Sequence, residues 1–455
     1  MKPKFTLSEL ADIAGAESVG TDGNLKIRGI STDTRDIREG EVFLALGGEN
    51  FNGVNFLEDA KKKRAIAAIV PKPTEEVKGL KLIRVENTKK TLSDIAKAHR
   101  AKFSIPVIGI TGSNGKTTVK DMMAHILSKR FKVLATEENY NNKVGVAQAL
   151  LKLDDHDIAI IEVGTNSIGE VSHNAEVLKP TVSIITNIGP SHLEGLRDKN
   201  GVLSEKIALV ESLGRDGVWV KNRDDELLAT KEYENIKTIS YGIEAEELDF
   251  KGSGIRELRS GLEFTVKERV AKVPLLGIHN VYNSLAAIAC SSLFMDVTDI
   301  VGMLPGFKGT SMRLEVLDTG NFTIINDTYN SNPLSFSCAL RALRNFPVEA
   351  KRVLVCADML ELGRFSDKMH YDSGRLAAKT DIDYLMTFGE RATNIAEGAI
   401  KGGMDKNRVN SFQDKHKLES SLRNIIKKGD VVLIKGSRGM KMEEIVNCFI
   451  TCSTH

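Results

Sequence analysis

The chain has no apolar run near the roughly 18 residues that a membrane-spanning helix needs, and it has almost no net charge. Lys and Arg number 63 against 61 Asp and Glu, which gives +2 at pH 7. A balance this even provides no strong field for nucleic acid or a membrane surface. The segment 1–11 carries an acidic side chain and lacks the apolar core of a signal peptide. We therefore expect neither membrane insertion nor nucleic-acid binding.

Cysteine is scarce too, and its placement excludes the usual zinc sites. The five cysteines are odd in number, scattered, and without CxxC spacing. Unpaired thiols of this kind are typical of the reducing cytoplasm, because disulfide frameworks belong mostly to secreted proteins. The sequence therefore predicts a cytoplasmic protein with reduced thiols at Cys290, Cys338, Cys356, Cys448 and Cys452.

The rest of the composition is that of an ordinary globular chain, with 27% charged and 41% hydrophobic residues. At 455 residues the chain is too long for a single core. Patterning divides it into three α/β units: a small mixed unit over 1–104, a parallel-sheet unit over 105–305 and a Rossmann-like unit over 306–455. In the two larger units, apolar strands alternate with helical segments, as a parallel sheet requires.

The strand candidates are continuous apolar runs, which predicts helices on both faces of each large sheet. They are Val42–Leu46, Ala67–Val70, Leu82–Val85, Val107–Ile110, Val133–Ala135, Ile158–Val163, Val182–Thr186, Gly217–Val220, Thr323–Asn326, Val353–Cys356, Tyr384–Phe388 and Val431–Ile434. Helical spacing predicts helices over Phe5–Ile13, Thr91–Phe103 and Val281–Phe294.

The strongest motif is a glycine-rich segment between a predicted strand and a predicted helix. It reads Thr111-Gly-Ser-Asn-Gly-Lys-Thr-Thr118. Glycines let backbone N–H groups surround phosphate oxygens, and the helix N-terminus adds partial positive charge. Lys116 would contact the outer phosphates and Thr117 would bind Mg²⁺. A chance glycine-rich turn is the alternative, but the strand–turn–helix context favours a nucleoside triphosphate site.

The glycine spacing of this loop differs from the general phosphate-loop pattern. The general pattern places a glycine five positions before Gly115, where this chain has Ile110, and the glycine is displaced to Gly112. The predicted phosphate-binding residues are Gly112, Ser113, Asn114, Gly115, Lys116, Thr117 and Thr118.

Polar side chains also follow the next strands of the middle unit. Glu162 comes directly after Ile158–Ile161 and is placed to bind Mg²⁺, although a helix cap or an ion pair is the alternative. His192 follows a Gly-Pro turn, and a lone histidine is more often structural than a ligand. Taken alone, Lys206 has the pattern of an ordinary helix lysine.

Further polar clusters stand at the edges of apolar runs. Singly, each could be a turn or a cap. Together they predict a cleft shared between the second and third units, because open α/β sheets bind ligands at the carboxyl ends of their strands. The clusters are Gly277–Asn283, Met312–Glu315, Asn326–Pro333, Asp358–Gly363 and Lys435–Arg438.

This set of motifs, in this order, resembles the Mur ligase family, the ATP-dependent amide-forming enzymes of peptidoglycan precursor synthesis. The resemblance extends over nearly the whole chain and includes the displaced glycine of the phosphate loop. The other matching segments are Asn139–Asn142 through Gly145-Val146, the Asn-x-Gly-Pro-x-His-Leu-Glu sequence ending at Glu194, His279-Asn-x-x-Asn283, Asp327–Pro333, Asp358–Gly363 and Lys435–Met440.

In the first unit, Ser31-Thr-Asp-Thr-Arg35 and Gly40–Glu49 are similar to the family segments that hold a uridine nucleotide. The resemblance implies that a UDP-linked substrate contacts Ser31, Thr34, Arg35 and Gly47.

The chain departs from the family pattern at three places. The usual Asp-Gly-His is Asn52-Gly53-Val54, which removes a histidine from the uridine side. Ala357 replaces the glycine before Asp358, and Asn330-Ser-Asn-Pro333 replaces Asn-Ala-Asn-Pro.

The resemblance also assigns roles around the ATP site. It implies that Thr117 and Glu162 hold one Mg²⁺, and that His192 and a carbamylated Lys206 hold a second. The catalytic set is then Lys116, Glu162, His192 and Lys206. Asn280 would contact adenine, and Arg313 and Asp327 would reach the phosphate and ribose. The side that binds a dipeptide would include Tyr329, Asn330, Asp358, Ser437 and Arg438.

The reaction implied is addition of D-alanyl-D-alanine to UDP-N-acetylmuramoyl-tripeptide, driven by ATP through an acyl phosphate. The chain would act as a monomer, with these small molecules as its partners. Whether the tripeptide ends in lysine or diaminopimelate stays open. Two alternatives are a folylpolyglutamate synthetase-like ligase, which has no uridine-binding unit, and a phosphate-loop switch or motor protein, which needs no carboxylate substrate.

Overall fold

The computed structural model describes residues 5–16, 23–48, 51–137 and 140–450. Glu49, Asn139 and Cys452, which belong to segments discussed above, lie outside the described residues. No helix within the described ranges is long and apolar enough to cross a membrane.

The first unit is a small sheet of parallel strands in the order β1-β2-β3-β4. Its core includes Ile30, Leu44 and Ile69, each fully buried. The three strand candidates of this unit are present, whereas β1 was not predicted because it is only three residues long. Its elements are α1(Leu7–Ile13), β1(Gly29–Ser31), β2(Glu41–Leu44), α2(Leu57–Lys62), β3(Ala67–Pro71), β4(Lys81–Val85) and α3(Thr88–Arg100).

The second unit contains a larger parallel sheet with helices on both faces. Its elements up to that sheet's last strand are β5(Val107–Thr111), α4(Lys116–Leu127), β6(Val133–Ala135), α5(Lys143–Leu150), β7(Ile158–Glu162), α6(Glu170–Leu178), β8(Val182–Ile185), α7(Leu193–Leu196), α8(Lys199–Glu211), β9(Val218–Asn222), α9(Glu226–Ala229), β10(Lys237–Gly242) and β11(Phe250–Lys251). The strand order is β11-β10-β9-β8-β5-β7-β6.

This order places a topological switch at the strand that precedes the glycine-rich loop. From β5 the chain moves outward to β6 and back to β7, and then continues with β8 on the opposite side of β5. Loops leaving β5 and β8 therefore diverge and open a crevice at the carboxyl end of the sheet, where such folds bind ligands.

A three-stranded antiparallel sheet, absent from the predictions, covers part of the second unit. Its inward side chains Leu262, Phe264 and Val266 are buried in the core shared with the central sheet. The elements are β12(Ser253–Leu258), β13(Gly261–Val266) and β14(Arg269–Val273), followed by α10(His279–Ser291) and α11(Val297–Met303).

The third unit is a six-stranded sheet in the order β15-β16-β20-β17-β18-β19, with only β15 antiparallel. Here β20 inserts between β16 and β17, which creates a second switch point. The elements are β15(Glu315–Asp318), β16(Thr323–Asp327), α12(Pro333–Asn345), β17(Arg352–Ala357), α13(Ser366–Ala377), β18(Tyr384–Phe388), α14(Thr393–Lys401), β19(Val409–Phe412), α15(Lys415–Ile425), β20(Val431–Lys435) and α16(Glu443–Ile450). The predicted mixed α/β architecture with parallel sheets is confirmed.

Replacing Ile160 by alanine tests whether the central sheet carries the stability of the second unit. Ile160 is fully buried in β7 and belongs to the same core as Ile108 and Ile110. We expect Ile160→Ala to lower the free energy of unfolding by about 2–5 kcal/mol, because it removes methyl and methylene groups from a packed core. Denaturant unfolding followed by circular dichroism measures the change.

Ile168→Ala is the matched control, since that side chain is 63% exposed. Its free energy of unfolding should stay within about 0.5 kcal/mol of the parent. Equal losses in the two variants would contradict the placement of β7 in the core.

Candidate active site

A cavity of about 780 Å³ lies at the carboxyl ends of the strands of the second and third units. From the second unit it is lined by the glycine-rich loop, the loops after β7, β8 and β9, and the start of α10. From the third unit it is lined by the segments before β15 and after β16, β17 and β20. The predicted cleft between these units is therefore present.

The glycine-rich loop takes a path that only glycine permits at two positions. Gly112 has φ +145°, and a Cβ there would lie 1.9 Å from Thr186 Oγ1. Gly115 has φ +86° and begins α4, and its Cβ would lie 2.3 Å from Asn283 Oδ1. The position of Ile110 is a buried site within β5, so the tight turn starts two residues later than in the general pattern. Packing of the loop against its neighbours thus explains the displaced glycine.

Hydrogen bonds from the loop after β8 hold the glycine-rich loop in place. Asn114 donates its N–H to Asn187 Oδ1 over 3.1 Å, and its carbonyl accepts from Asn187 Nδ2 over 3.1 Å. Ser113 Oγ donates to the Gly189 carbonyl over 2.9 Å. A loop fixed in this way positions the first N–H groups of α4, which have no partner inside the helix, for a phosphate at little entropic cost.

Thr117 and Glu162, the predicted ligands of one Mg²⁺, lie side by side. The Thr117 hydroxyl donates to Glu162 Oε2 over 2.8 Å, and Asn141 Nδ2 donates to Glu162 Oε1 over 2.8 Å. Glu162 is 1% exposed and lies at the end of β7. A buried carboxylate paired with a hydroxyl is a suitable oxygen set for a cation that also binds phosphate.

Lys116 occupies the start of α4 and folds back onto its own loop. Its ammonium donates to the Gly112 carbonyl over 2.9 Å. Burial lowers the pKa of Lys116, and Arg313 lowers it further, whereas Glu162 opposes both. A bound phosphate would offset the clustered positive charge, which fits the role predicted for this lysine.

Lys206 lies in α8, behind the cavity wall and not on it. It is 1% exposed, and no described residue accepts a hydrogen bond from its ammonium. Its neighbour Glu205 binds the backbone N–H groups of Gly169 (2.7 Å) and Val171 (2.6 Å) instead. Burial holds the pKa of Lys206 well below its ordinary value, and the charge of Lys116 adds to the effect.

His192, at the N-terminal end of α7, meets a residue of the third unit. Its Nδ1 lies 2.6 Å from Oε2 of Glu361. That separation is within hydrogen-bond distance, so the contact links the second unit to the third. The nearby imidazole holds the pKa of the Glu361 carboxyl below its usual value.

The Thr117–Glu162 pair fits one divalent cation, although the fit does not come from a cluster of acids and histidines. Within the described ranges, no group of three or more His, Cys, Asp or Glu side chains is arranged to hold a metal ion. Mg²⁺ commonly binds only one or two protein carboxylates together with substrate phosphates and water. The Thr117–Glu162 pair agrees with that mode, whereas a second cation at His192 and Lys206 stays a prediction.

Arg313 and Asp327 bring polar groups of the third unit to the cavity. Arg313 donates to the Thr117 hydroxyl over 3.0 Å and stacks 4.0 Å above the ring of Tyr329. Asp327 Oδ2 accepts from Lys435 over 2.6 Å, and the same lysine donates to the Asn330 carbonyl over 3.0 Å. The two residues therefore line the cavity as expected.

Asn280 lines the cavity, but its amide is already occupied by the protein. Its Nδ2 donates to the Leu276 carbonyl over 2.8 Å, and its Oδ1 accepts from Asn283 over 2.7 Å. The side chain is 4% exposed. In this geometry Asn280 orders the start of α10, and its predicted contact with adenine stays a prediction.

The predicted dipeptide residues divide into two groups. Tyr329, Asn330, Ser437 and Arg438 line the cavity. Asp358 does not: its Oδ1 accepts the Ala392 N–H over 2.6 Å, just before α14. The dipeptide role of Asp358 therefore has no support in this geometry, because the carboxylate is used to fix a helix end.

The four residues predicted for the uridine nucleotide lie outside this cavity, in the first unit. Ser31 Oγ donates to the Asp33 carbonyl over 2.8 Å, and Arg35 pairs with Asp33 at 2.6 Å. Thr34 stands in the turn between them, and Gly47 pairs with Asn52 in an isolated bridge. Gln148 of α5 donates to the Thr32 hydroxyl over 2.7 Å, which ties this segment to the second unit.

Several cavity residues were not among the predicted site residues. Asn332 exchanges two hydrogen bonds with Asn114 of the glycine-rich loop, at 2.9 and 3.3 Å. His279 is held neutral, since burial lowers its pKa to about 4. Lys435 and Glu361 lie within Lys435–Met440 and Asp358–Gly363, two segments of the family resemblance, so the sequence contained a signal that these residues belong to the site. Nothing in the pattern pointed to Asn332 as a partner of the loop.

Comparison with known proteins gives the same family over both larger units. The Mur ligase middle domain matches residues 110–291, and the Mur ligase glutamate ligase domain matches residues 312–438. The UDP-N-acetylmuramoyl-tripeptide–D-alanyl-D-alanine ligase of Bacillus subtilis (strain 168) is 36% identical over 433 residues, which cover 93% of this chain and 93% of that protein.

Solved structures agree with this relationship. MurF from Acinetobacter baumannii superposes with a TM-score of 0.91 at 28% identity, covering 98% of this chain and 99% of that one. The MurF ligase of Thermotoga maritima in complex with ADP gives a TM-score of 0.83 at 25% identity, covering 93% and 97%.

Gly112→Ala tests the geometry of the glycine-rich loop. The new methyl group would collide with Thr186, and φ +145° is unfavourable for alanine. We expect the dissociation constant for ADP, measured by calorimetry, to rise at least about 10-fold, because the loop N–H groups move.

Gly214→Ala serves as the control, since a Cβ at Gly214 has no atom within 4 Å. It should bind ADP as the parent does. Normal ADP binding by Gly112→Ala would contradict the loop path described.

Proposed function

This chain belongs to the Mur ligase family, and we infer that it is the ligase that adds D-alanyl-D-alanine to UDP-N-acetylmuramoyl-tripeptide. It is an ATP-dependent enzyme of peptidoglycan precursor synthesis that uses Mg²⁺. Its substrates are small molecules.

One observation carries the mechanism: positive groups of two units converge on a single buried carboxylate inside one cavity. Lys116 and Arg313 both act on the environment of Glu162 and Thr117. This arrangement suits the β- and γ-phosphates of ATP, because one glutamate does not balance the positive charge of both Lys116 and Arg313. Stabilisation of phosphoryl transfer by preorganised positive charge is the main contribution of such a site.

The reaction proceeds in two steps. A carboxylate oxygen of the tripeptide attacks the γ-phosphorus, the bond to the β–γ bridging oxygen breaks, and ADP leaves with that electron pair. The amine of D-alanyl-D-alanine then attacks the acyl carbon, and the tetrahedral intermediate expels phosphate as the amide forms and the amine loses its proton. Water must be kept out meanwhile, because it would hydrolyse the acyl phosphate.

Residues of the second unit act on the triphosphate. The loop from Gly112 to Thr118 surrounds the phosphates, and Lys116 neutralises the transferred group. Thr117 and Glu162 would hold a Mg²⁺, whose bound charge polarises the phosphoryl oxygens. His192 and a carbamylated Lys206 would hold a second. The support for the carbamate is a buried amine with lowered pKa and no acceptor.

Residues of the third unit complete the site from the opposite wall. Arg313 donates to the Thr117 hydroxyl, and Lys435 donates to the Asp327 carboxylate. We propose Arg313 for the phosphate and Asp327 for the ribose of ATP. Tyr329, Asn330, Ser437 and Arg438 are the residues we propose for the dipeptide side. Asn280 orders the adenine end through α10.

The domain roles follow the same division. We propose that 1–104 binds the UDP part through Ser31, Thr34, Arg35 and Gly47, that 105–305 binds ATP, and that 306–455 binds the dipeptide. A monomer is sufficient, because one chain supplies every wall of the cavity described. Cytoplasmic action is proposed because the reaction consumes ATP.

A phosphate-release assay tests the function directly. With ATP, Mg²⁺, UDP-N-acetylmuramoyl-tripeptide and D-alanyl-D-alanine together, release should exceed background, and omission of either peptide substrate should abolish sustained release. Lys116→Gln should lower the rate at least about 100-fold, because the ammonium charge that stabilises the transferred phosphoryl group is lost. Comparing lysine- and diaminopimelate-containing tripeptides identifies the third residue.

Lys129→Gln, which changes an exposed lysine after α4, should leave the rate unchanged. A folylpolyglutamate synthetase-like enzyme would turn over a folate and not these substrates. A nucleotide switch would hydrolyse ATP independently of them.

Lys206→Ala tests the proposed carbamate. We expect ligation to be lost and acetate to restore part of it, because a small carboxylate can occupy the space of the carbamate. In the parent enzyme, ¹³C-bicarbonate should give a carbamate signal by NMR that Lys206→Ala lacks.

The exposed Lys428→Ala should retain both the signal and activity. Full activity of Lys206→Ala, or a carbamate signal that persists in it, would refute the assignment.

A further inference from the structure

Asn114, in the middle of the glycine-rich loop, uses both groups of its side-chain amide to contact the third unit. Its Nδ2 donates to Asn332 Oδ1 over 3.3 Å, and its Oδ1 accepts from Asn332 Nδ2 over 2.9 Å. The backbone of Asn114 is fixed separately, by the Asn187 amide and by the Thr186 hydroxyl of its own unit. The Asn114–Asn332 amide pair is therefore not what builds the loop, and its role lies in joining the two units.

Asn332 is well ordered where it meets the loop. It is the N-cap of α12: its Oδ1 accepts the Ser335 N–H over 2.8 Å, and its own N–H donates to the Ser335 hydroxyl over 3.0 Å. The carbonyl of the preceding Ser331 accepts from Ser437 over 3.3 Å, which ties this turn to the segment after β20. Because the cap already orders the Asn332 side chain, the amide pair forms at little further cost in conformational entropy.

Arg313 and Asn332 bring the third unit to two neighbouring points of the phosphate site. Arg313 precedes β15 and Asn332 follows β16, and the antiparallel pairing of these strands places both residues at one end of the sheet. Arg313 donates to the Thr117 hydroxyl over 3.0 Å, while Asn332 holds Asn114. The amide pair therefore fixes the position in which Arg313 meets Thr117.

Close packing beside the amide pair shows that the two units are fitted together here. A Cβ on Gly189 would lie 2.8 Å from Cδ2 of Leu334, in the first turn of α12. Gly189 also exchanges two hydrogen bonds with the Ser113 hydroxyl, each over 2.9 Å. The start of α12 thus rests against both the glycine-rich loop and the loop after β8.

We propose that Asn332 is a positioning residue for phosphoryl transfer, which docks the third unit on Asn114 and so holds Arg313 at the γ-phosphate of ATP. The inference rests on the proposed function and on the phosphate role proposed for Arg313. In this role Asn332 acts through Arg313 and not on the nucleotide itself. Its loss should therefore weaken the binding of a triphosphate more than that of a diphosphate.

Asn332→Ser tests the inference, because serine is also a favoured N-cap residue but is too short to reach Asn114. We expect the dissociation constant of a non-hydrolysable ATP analogue with Mg²⁺ to rise at least about 5-fold, since two hydrogen bonds of ordinary strength are lost. The dissociation constant of ADP should stay within about 2-fold of the parent, because ADP offers Arg313 no γ-phosphate. Calorimetry on the full-length protein measures both values.

Asn87→Ser is the matched control. Asn87 is the exposed N-cap of α3 in the first unit, where its Oδ1 accepts the Lys90 N–H over 3.0 Å. This variant makes the same exchange at a helix start, and it should bind both nucleotides as the parent does. An effect of Asn87→Ser equal to that of Asn332→Ser would overturn the inference.

A double variant separates positioning of Arg313 from other effects of the substitution. In an Arg313→Ala background, Asn332→Ser should cause no further loss of affinity for the ATP analogue, because the group that it positions is gone. A further loss in that background would overturn the inference. Asn114→Ala removes the amide pair from the loop side and leaves the α12 cap in place. It should show the same reduced preference for the ATP analogue over ADP, whether or not Asn332→Ser folds.

The outcomes separate this inference from the proposed function. Unchanged affinity for both nucleotides in Asn332→Ser, or an equal rise in both dissociation constants, overturns this inference alone. A parent that does not bind the ATP analogue overturns the proposed function and this inference with it. Absence of ligation by a parent that binds the analogue overturns the proposed function, whereas the nucleotide affinities alone decide this inference.

Discussion

Positive charge from two units around one buried carboxylate is the constraint on which the rest of the site depends. Lys116 lies within electrostatic range of Glu162 and Arg313, and Arg313 donates to the Thr117 hydroxyl beside that carboxylate. One carboxylate offsets only one of these two positive charges, so the site favours the entry of a polyanion. Ligands that supply the missing charge stabilise the folded, closed arrangement as they bind. Substrate binding and closure are coupled for this reason.

The parts of the molecule that follow from local pattern could be read from the sequence. Buried parallel strands appear as continuous apolar runs, and Val133–Ala135 and Tyr384–Phe388 have the bounds predicted for them. The displacement of the glycine to Gly112 could also be read from the sequence, although its structural cause, the close approach of Thr186, could not. The β12–β14 sheet was not predicted because its strands mix polar and apolar residues and lack the continuous apolar runs that marked the other strands.

Contacts between units could not be predicted, since no local pattern records them. Asn114 and Asn332 are 218 residues apart and meet only because two sheets face one another. The case of Asn280 shows a different limit. Its place in a family motif suggested a ligand, but the direction of an amide depends on its neighbours at Leu276 and Asn283. Asp358 followed a strand end as expected, and a nearby helix terminus took up its carboxylate.

The insertion of β20 between β16 and β17 has a consequence for the order of assembly during synthesis. The third unit cannot pair its two halves until residues 431–435 have been made, although β16 and β17 emerge much earlier. Domains generally fold in the order in which they leave the ribosome. A nascent chain therefore acquires its phosphate-binding loop well before the wall that carries Arg313 and Asp327 becomes firm. During that interval only the second-unit wall of the cavity is complete, so the site cannot yet be closed from both sides.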